Sequence, residues 1–102
     1  MFTMRNADLH CCTMAFMQLA STMAEQVPHD HGQLADQLRR AALSIPLIMT
    51  GAGGQATARG AALACRAIVD VLEGFRLVVA DQARQARDLL ACIATKLSAE
   101  SG

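Results

Sequence analysis

Two adjacent arginines are the best candidates for a ligand contact. Arg39 and Arg40 follow Asp36 in the middle of a helical pattern. Guanidinium groups bind phosphate oxygens, so this pair is a candidate nucleic-acid contact. The structural alternative is ion pairing, within a subunit or between subunits. Arg40 lies one helical turn after Asp36, and Arg39 could reach Glu73. We expect ion pairs, because a surface that binds the nucleic-acid backbone needs excess cations on one face, whereas nine basic residues here balance nine acidic ones.

Histidines and cysteines are the possible metal ligands. His29 and His31 are separated by one residue, and His10 precedes Cys11 and Cys12. A zinc site needs four ligands close together, and these usually follow regular spacings that this chain lacks. We therefore predict neither a metal nor another cofactor.

The four cysteines do not form a disulfide framework. Cys11 and Cys12 are adjacent, Cys65 and Cys92 stand alone, and there is no Cys-x-x-Cys pair. All of them fall within helical patterns, where a free cysteine behaves as a small hydrophobic residue. We expect reduced thiols, as in a cytoplasmic protein, and regard a disulfide as the less favoured alternative.

Motifs for catalysis are missing from the sequence. Ser44 is followed by Ile45 and Pro46 rather than by the glycine of a nucleophile elbow. The glycine-rich segment 51–54 could bind an anion through its amides, but it lacks the strand and the Gly-Lys-Ser/Thr ending of a P-loop, so we interpret it as a linker. No helix face combines carboxylates with Glu-x-x-His, as a di-iron bundle requires. We predict that the protein is not an enzyme.

Composition predicts one associating helical domain, residues 1–102. Hydrophobic residues make up 53% of the chain, yet only three residues are aromatic, which favours packed helices over a sheet. The apolar fraction is high for a small monomer and indicates association. Arg5 and Asp8 interrupt the N-terminal segment, which is unlike a signal peptide. Charges also interrupt every stretch long enough to span a membrane, so we expect a cytoplasmic protein without a membrane partner.

Apolar residues recur at helical spacing in four segments, which predicts an all-α fold. We place the helices at about residues 6–26, 33–50, 57–79 and 81–98. Thr57 and Asp81 are the expected N-caps of the last two helices, and Pro46 should kink or break the last turn of the second. Arg66 and Asp70 are placed to pair on the third helix. The expected core positions are Leu9, Cys12, Phe16, Leu19 and Met23; Leu34, Leu38, Ala41, Ile45 and Ile48; Ala61, Cys65, Ile68, Leu72, Phe75 and Val79; and Ala86, Leu90, Ile93 and Leu97.

Four further apolar residues do not fit a single core. At about 100° per residue, Leu43 and Leu47 project from the opposite side of the second helix, and Met14 and Met17 flank the core positions of the first. A small bundle cannot bury both sides of a helix internally. These residues are therefore the predicted oligomer interface. A promiscuous peptide groove is the alternative for the methionines.

The second predicted helix also carries a family resemblance. The helix contains the string Gln37-Leu38-Arg39-Arg40-Ala41-Ala42-Leu43-Ser44-Ile45-Pro46. This string resembles the signature of four-helix bundle proteins related to the 23S rRNA intervening-sequence proteins. In that family the signature lies on the second helix. Val27-Pro28 stands where the family has an aromatic-Pro pair, and Val71-Leu72-Glu73 resembles its Glu-Leu-Glu. After Pro46 the chain departs from the family's Ser-Asn-Ile-Ala-Glu-Gly, so no role of that Asn or Glu can be carried over.

The resemblance implies a fold and an assembly rather than a chemistry. Family members are up-down-up-down four-helix bundles that assemble into homopentameric rings, and most have no known activity. We therefore predict a cytoplasmic homo-oligomeric ring, a pentamer by resemblance, with a structural or protein-interaction role. The alternative is a nucleic-acid-binding accessory protein, like the family members that accompany reverse transcriptases. A bundle that binds a small ligand or a metal in a polar core cavity is a third possibility.

Overall fold

A computed structural model describes residues 4–50 and 54–101 of the chain. These residues form four α-helices and no strand, which confirms the predicted all-α class. The helices are α1 (Met4–Gln26), α2 (Gly32–Thr50), α3 (Gly54–Gly74) and α4 (Ala80–Ser101), and a 3-10 turn, His29–His31, joins α1 to α2. Within the described ranges, no helix has both the length and the apolar character needed to cross a bilayer.

The helices pack as a four-membered cycle in which α1 contacts α2, α2 contacts α3, α3 contacts α4, and α4 returns to α1. Cross-helix contacts show that neighbours run antiparallel. Near the start of α1, Asp8 faces Lys96 near the end of α4 at 3.8 Å. Thr13 on α1 likewise contacts Met49 at the end of α2, with 4.0 Å between the hydroxyl oxygen and the sulfur. The described residues therefore form a four-helix bundle.

The core lies along the inner faces of all four helices. The expected core positions on α1, α2 and α4 are buried or half-buried, as the apolar spacing predicted. Phe16, Leu38, Leu72 and Ile93 are completely inaccessible to solvent. Thr13 is the buried polar exception, and its hydroxyl donates to the Leu9 carbonyl at 2.8 Å. That bond satisfies the hydroxyl without disturbing the surrounding apolar packing.

The C-terminus of α3 comes earlier than the apolar spacing suggests. Arg76 adopts a left-handed conformation with φ of 59°. Its N–H donates to the Glu73 carbonyl, and the Leu77 N–H donates to the Leu72 carbonyl, both at 2.9 Å. This pair of bonds is the Schellman motif, in which glycine usually occupies the left-handed position. Arginine occupies it here, whereas the glycine of this segment, Gly74, is the last residue of α3 and does not take the left-handed conformation.

The early end of α3 removes two residues from the predicted core. Phe75 and Val79 are 64% and 57% exposed, so placing them at core positions was wrong. Their apolar spacing continues past the point where the backbone turns. The ring of Phe75 instead stacks on His31, with centroids 6.4 Å apart and planes at 24°. The α3–α4 connection therefore meets the 3-10 turn at the same end of the bundle.

Both predicted N-caps were wrong. Because α3 begins at Gly54, Thr57 lies inside the helix, and because α4 begins at Ala80, Asp81 lies in its first turn. There the carboxylate favours the helix N-terminus and faces Arg84 at 3.6 Å. Of the predicted linker, residues 51–53 lie outside the described part of the chain.

Of the predicted kink or break at Pro46, the break was wrong, because α2 continues through the proline to Thr50. Ile45 is completely buried immediately before it, and Ile48 and Met49 pack against the core just after it. Burial of these neighbours offsets the backbone hydrogen bond that proline removes.

Candidate association surface and the predicted ligand sites

Exposed apolar side chains on α2 form the first candidate association surface. Leu43 and Leu47 are 47% and 59% exposed, although Leu38 and Ile45 on the same helix are completely buried. The two leucines thus project away from the core, as their spacing predicted. We call this pair the α2 patch. Its role as an interface stays a prediction.

Of the two predicted methionines on α1, Met17 lies beside this patch. Met14 is 39% exposed, and Met17 is half-buried. A shallow groove of about 210 Å³ brings Met17 and Leu43 to one surface; its lining residues are Met17, Ala20, Ser21, Arg39, Ala42 and Leu43. The lining is mostly apolar, so the groove extends the α2 patch toward α1.

A second apolar surface lies on the outer side of α3. Leu63 and Val71 are 65% and 41% exposed, and Ala67 between them is exposed too. Spacing of four places these residues, the α3 stripe, on one side of the helix. The sequence also indicates a second apolar stripe on this helix, with Ala64, Val71 and Val78 one heptad apart, but it did not single out Leu63 or Ala67.

The outer side of α4 provides the contrast. In the first half of the helix, the exposed positions after Ala80 are polar or charged: Asp81, Arg84, Gln85 and Asp88. A solvated helix face has this composition. The bundle is therefore asymmetric: the outer side of α3 carries an apolar stripe, whereas the outer side of α4 is mainly polar in its first half.

The two candidate arginines differ in their surroundings. Arg39 donates to Asp36 at 3.4 Å, and both side chains are largely exposed. The predicted pairing of Asp36 with Arg40 was therefore wrong, because Asp36 pairs instead with Arg39, three residues after it. Arg40 is exposed and has no ion pair among the described residues. Arg39 thus already has an acidic neighbour, which weakens the case for the pair as a candidate nucleic-acid contact.

Two other predicted ion pairs were wrong because an arginine on α4 takes the acidic partners. Arg87 reaches Asp70 at 3.1 Å through Nη1 and Glu73 at 2.8 Å through Nη2. Hydrogen bonding to Glu73, and less so to Asp70, raises the pKa of Arg87 above its ordinary value. The sequence had suggested Arg39 as the partner of Glu73 and Arg66 as the partner of Asp70. Arg87 ties α3 to α4 instead.

The possible metal ligands are not assembled into a site. His29 and His31 belong to the 3-10 turn after α1, whereas His10, Cys11 and Cys12 lie in the first half of α1. Among residues 4–50 and 54–101, no three His, Cys, Asp or Glu side chains are arranged to hold a metal ion.

A polar depression of about 720 Å³ lies at the connection between α1 and α2. Its charged or titratable lining residues are Glu25, His29, Asp36 and Arg39. All four are exposed, so the depression belongs to the surface. It is not the polar core cavity that a ligand-binding bundle would need.

The cysteines fall into three environments that the sequence did not distinguish. Cys11 is exposed and Cys65 is completely buried, and burial raises the pKa of Cys65 to about 12. Cys12 and Cys92 are half-buried, and their Sγ atoms lie 3.0 Å apart. Burial, together with the hydrogen bond to Cys92, raises the pKa of Cys12 to about 11. Sequence spacing could not reveal this pair, because the contact joins opposite ends of the chain.

These surfaces and the thiol pair are the features from which a function can be inferred. Likeness to known proteins adds nothing to them, because no protein-family model, curated protein or solved structure matches this chain.

Proposed function

We propose that this protein is a homo-oligomeric four-helix bundle with a structural or protein-interaction role in the cytoplasm. The observation that carries the proposal is the exposure of Leu43 and Leu47, at 47% and 59%, on a helix whose other side is fully packed. Isolated exposed leucines are ordinary, but two of them beside an apolar groove indicate an interaction site.

Burying the α2 patch against another subunit would contribute measurably to the free energy of association. Full burial of a leucine side chain contributes about 1.5–3 kcal/mol. Roughly half of each leucine is already covered within the subunit, so burying the rest contributes about 1.5–3 kcal/mol for the pair. The methionine groove and the α3 stripe would add to this value.

The existence of two different apolar surfaces favours a ring. In a ring each subunit presents one surface to its neighbour on one side and a different surface to its neighbour on the other side. The α2 patch and the α3 stripe, on adjacent helices, could serve as these two surfaces. We propose five subunits in the ring because the intervening-sequence proteins, which the Gln37–Pro46 string resembles, form pentamers. The position of this string within α2, the second helix, supports the proposed kinship.

The first experiment removes the α2 patch. A Leu43→Glu, Leu47→Glu double variant should dissociate into smaller species while it remains helical, because buried carboxylates without partners oppose association. Light scattering after size exclusion measures the mass, and circular dichroism measures the helicity. The matched control is Gln85→Glu, Thr95→Glu, which adds the same charge on the polar side of α4. A monomeric wild type, or an unchanged mass in the leucine variant, would refute the proposal.

A mixing experiment tests the pairing of the two surfaces. A Leu63→Glu, Val71→Glu variant should also dissociate if the α3 stripe is the complementary surface. Mixed in equal amounts, the α2 and α3 variants should form a heterodimer, because each retains the surface that the other lacks. Failure of the mixture to associate, when each variant alone has dissociated, would exclude direct pairing of the α2 patch with the α3 stripe.

A further inference from the structure

Cys12 and Cys92 face each other across the contact between α1 and α4. Their sulfur atoms are 3.0 Å apart, and a disulfide bond measures about 2.05 Å. Closing the bond thus requires the two sulfur atoms to approach by about 1 Å. Both residues lie well inside their helices, so the backbone on either side is ordered.

The next helical turn holds the two helices in this register. Asp8 lies one turn before Cys12, Lys96 lies one turn after Cys92, and their charged groups are 3.8 Å apart. The thiol pair and the ion pair therefore form consecutive contacts along the same two antiparallel helices. The arrangement aligns the thiols through the packing of the bundle rather than through a mobile loop.

We propose that Cys12 and Cys92 are an oxidisable dithiol that reacts with a low-molecular-weight disulfide, such as glutathione disulfide, and closes a disulfide between α1 and α4. The proposal does not depend on the oligomer, because both cysteines belong to one subunit. It makes the pair a modification site within the bundle, in addition to its packing role.

The chemistry is two successive thiol–disulfide exchanges. The thiolate of one cysteine attacks a sulfur of the oxidant, the oxidant's S–S bond breaks, and one glutathione thiol leaves with the proton that the cysteine lost. The second cysteine then attacks the protein sulfur of the mixed disulfide and releases the second glutathione thiol. Two protein thiols are oxidised, and one glutathione disulfide is reduced to two thiols.

The surroundings of the pair determine its rate. The thiolate is the reacting form, and burial together with Cys92 raises the pKa of Cys12 to about 11. Little of Cys12 is therefore ionised at neutral pH. Below that pKa, attack by Cys12 should accelerate about tenfold for each unit by which the pH rises. Attack by Cys12 is therefore slow at neutral pH and becomes faster at alkaline pH.

The test incubates the reduced full-length protein with glutathione disulfide at mildly alkaline pH. Remaining thiols are then alkylated, and the disulfides are mapped by mass spectrometry. We expect a Cys12–Cys92 disulfide within one subunit and a thermal midpoint raised by roughly 10–20 °C, because the bond closes a long loop in the unfolded chain. The oligomer mass should not change, and a dithiol reductant should restore the original midpoint.

Variants separate this pair from the neighbouring thiols. Cys11→Ser and Cys65→Ser should still form the bond, whereas Cys12→Ser should leave Cys92 free or joined to glutathione. A wild type that acquires only glutathione at Cys11, or that links Cys11 to another subunit, would overturn the proposal. Because the disulfide is mapped in the wild type, this outcome does not depend on whether each serine variant folds.

Discussion

The left-handed arginine that ends α3 predicts a stabilising substitution. Arg76 has φ of 59°, a conformation that costs an ordinary residue about 1–2 kcal/mol and glycine almost nothing. Glycine gains more freedom in the unfolded chain, which offsets roughly 0.4–1 kcal/mol of that difference. Arg76→Gly should therefore raise the free energy of unfolding by about 0.5–1 kcal/mol.

The structure indicates that little is lost with the side chain. Arg76 is exposed and forms no ion pair among the described residues, and the two hydrogen bonds of the Schellman motif come from the backbone. A gain of that size corresponds to a rise of about 2–8 °C in the thermal midpoint of a domain this small.

Urea unfolding followed by circular dichroism measures the gain. Protein concentration must be held constant, because association makes the apparent stability concentration-dependent. Arg76→Ala is the matched control: it removes the same side chain and charge but keeps the Cβ atom that is strained at positive φ. We expect no comparable gain in the alanine variant. Equal stability of the glycine and alanine variants would refute the argument, because the strain would then not reside in the backbone.

Two further predictions concern charge and ionisation. Burial raises the pKa of Cys65 from 9.0 to about 12, so its stabilising contribution is present below pH 9 and is lost as the pH rises toward 12. Urea midpoints across this window should fall less steeply in Cys65→Ala than in wild type, and parallel curves would contradict the assignment. Because Asp36 compensates Arg39, RNA and DNA titrations at physiological salt should show no micromolar binding. Tight binding that disappears in Arg39→Ala, Arg40→Ala would instead support the nucleic-acid alternative.

The sequence predicts this fold well where one periodic pattern decides the structure. Burial of Phe16, Leu38 and Ile93 and exposure of Leu43 follow from a helical period of 3.6 residues. The same rule fails beyond Gly74. Phe75 continues the period, but the chain turns at Arg76 through backbone hydrogen bonds, and the left-handed position holds an arginine instead of the usual glycine.

Pairwise contacts were predicted less well, because local spacing competes with tertiary packing. Asp70 was assigned to Arg66 on its own helix, yet Arg87 on α4 approaches it at 3.1 Å. The contact between the two cysteine sulfurs was not predicted for the same reason. Cys12 and Cys92 meet only because α1 and α4 are antiparallel neighbours, and that relation belongs to the fold as a whole rather than to any short segment.

The α1–α4 contact has a consequence for the order of folding. The other three helix contacts join consecutive helices, whereas this one closes nearly the whole chain and carries the largest loop entropy. Local hairpins of helices should therefore form first, and α1 should dock on α4 late. Interactions made after the rate-limiting barrier slow unfolding without speeding folding. We expect this contact to determine the lifetime of the folded subunit. Weakening it should raise the unfolding rate in a chevron plot and leave the folding rate unchanged.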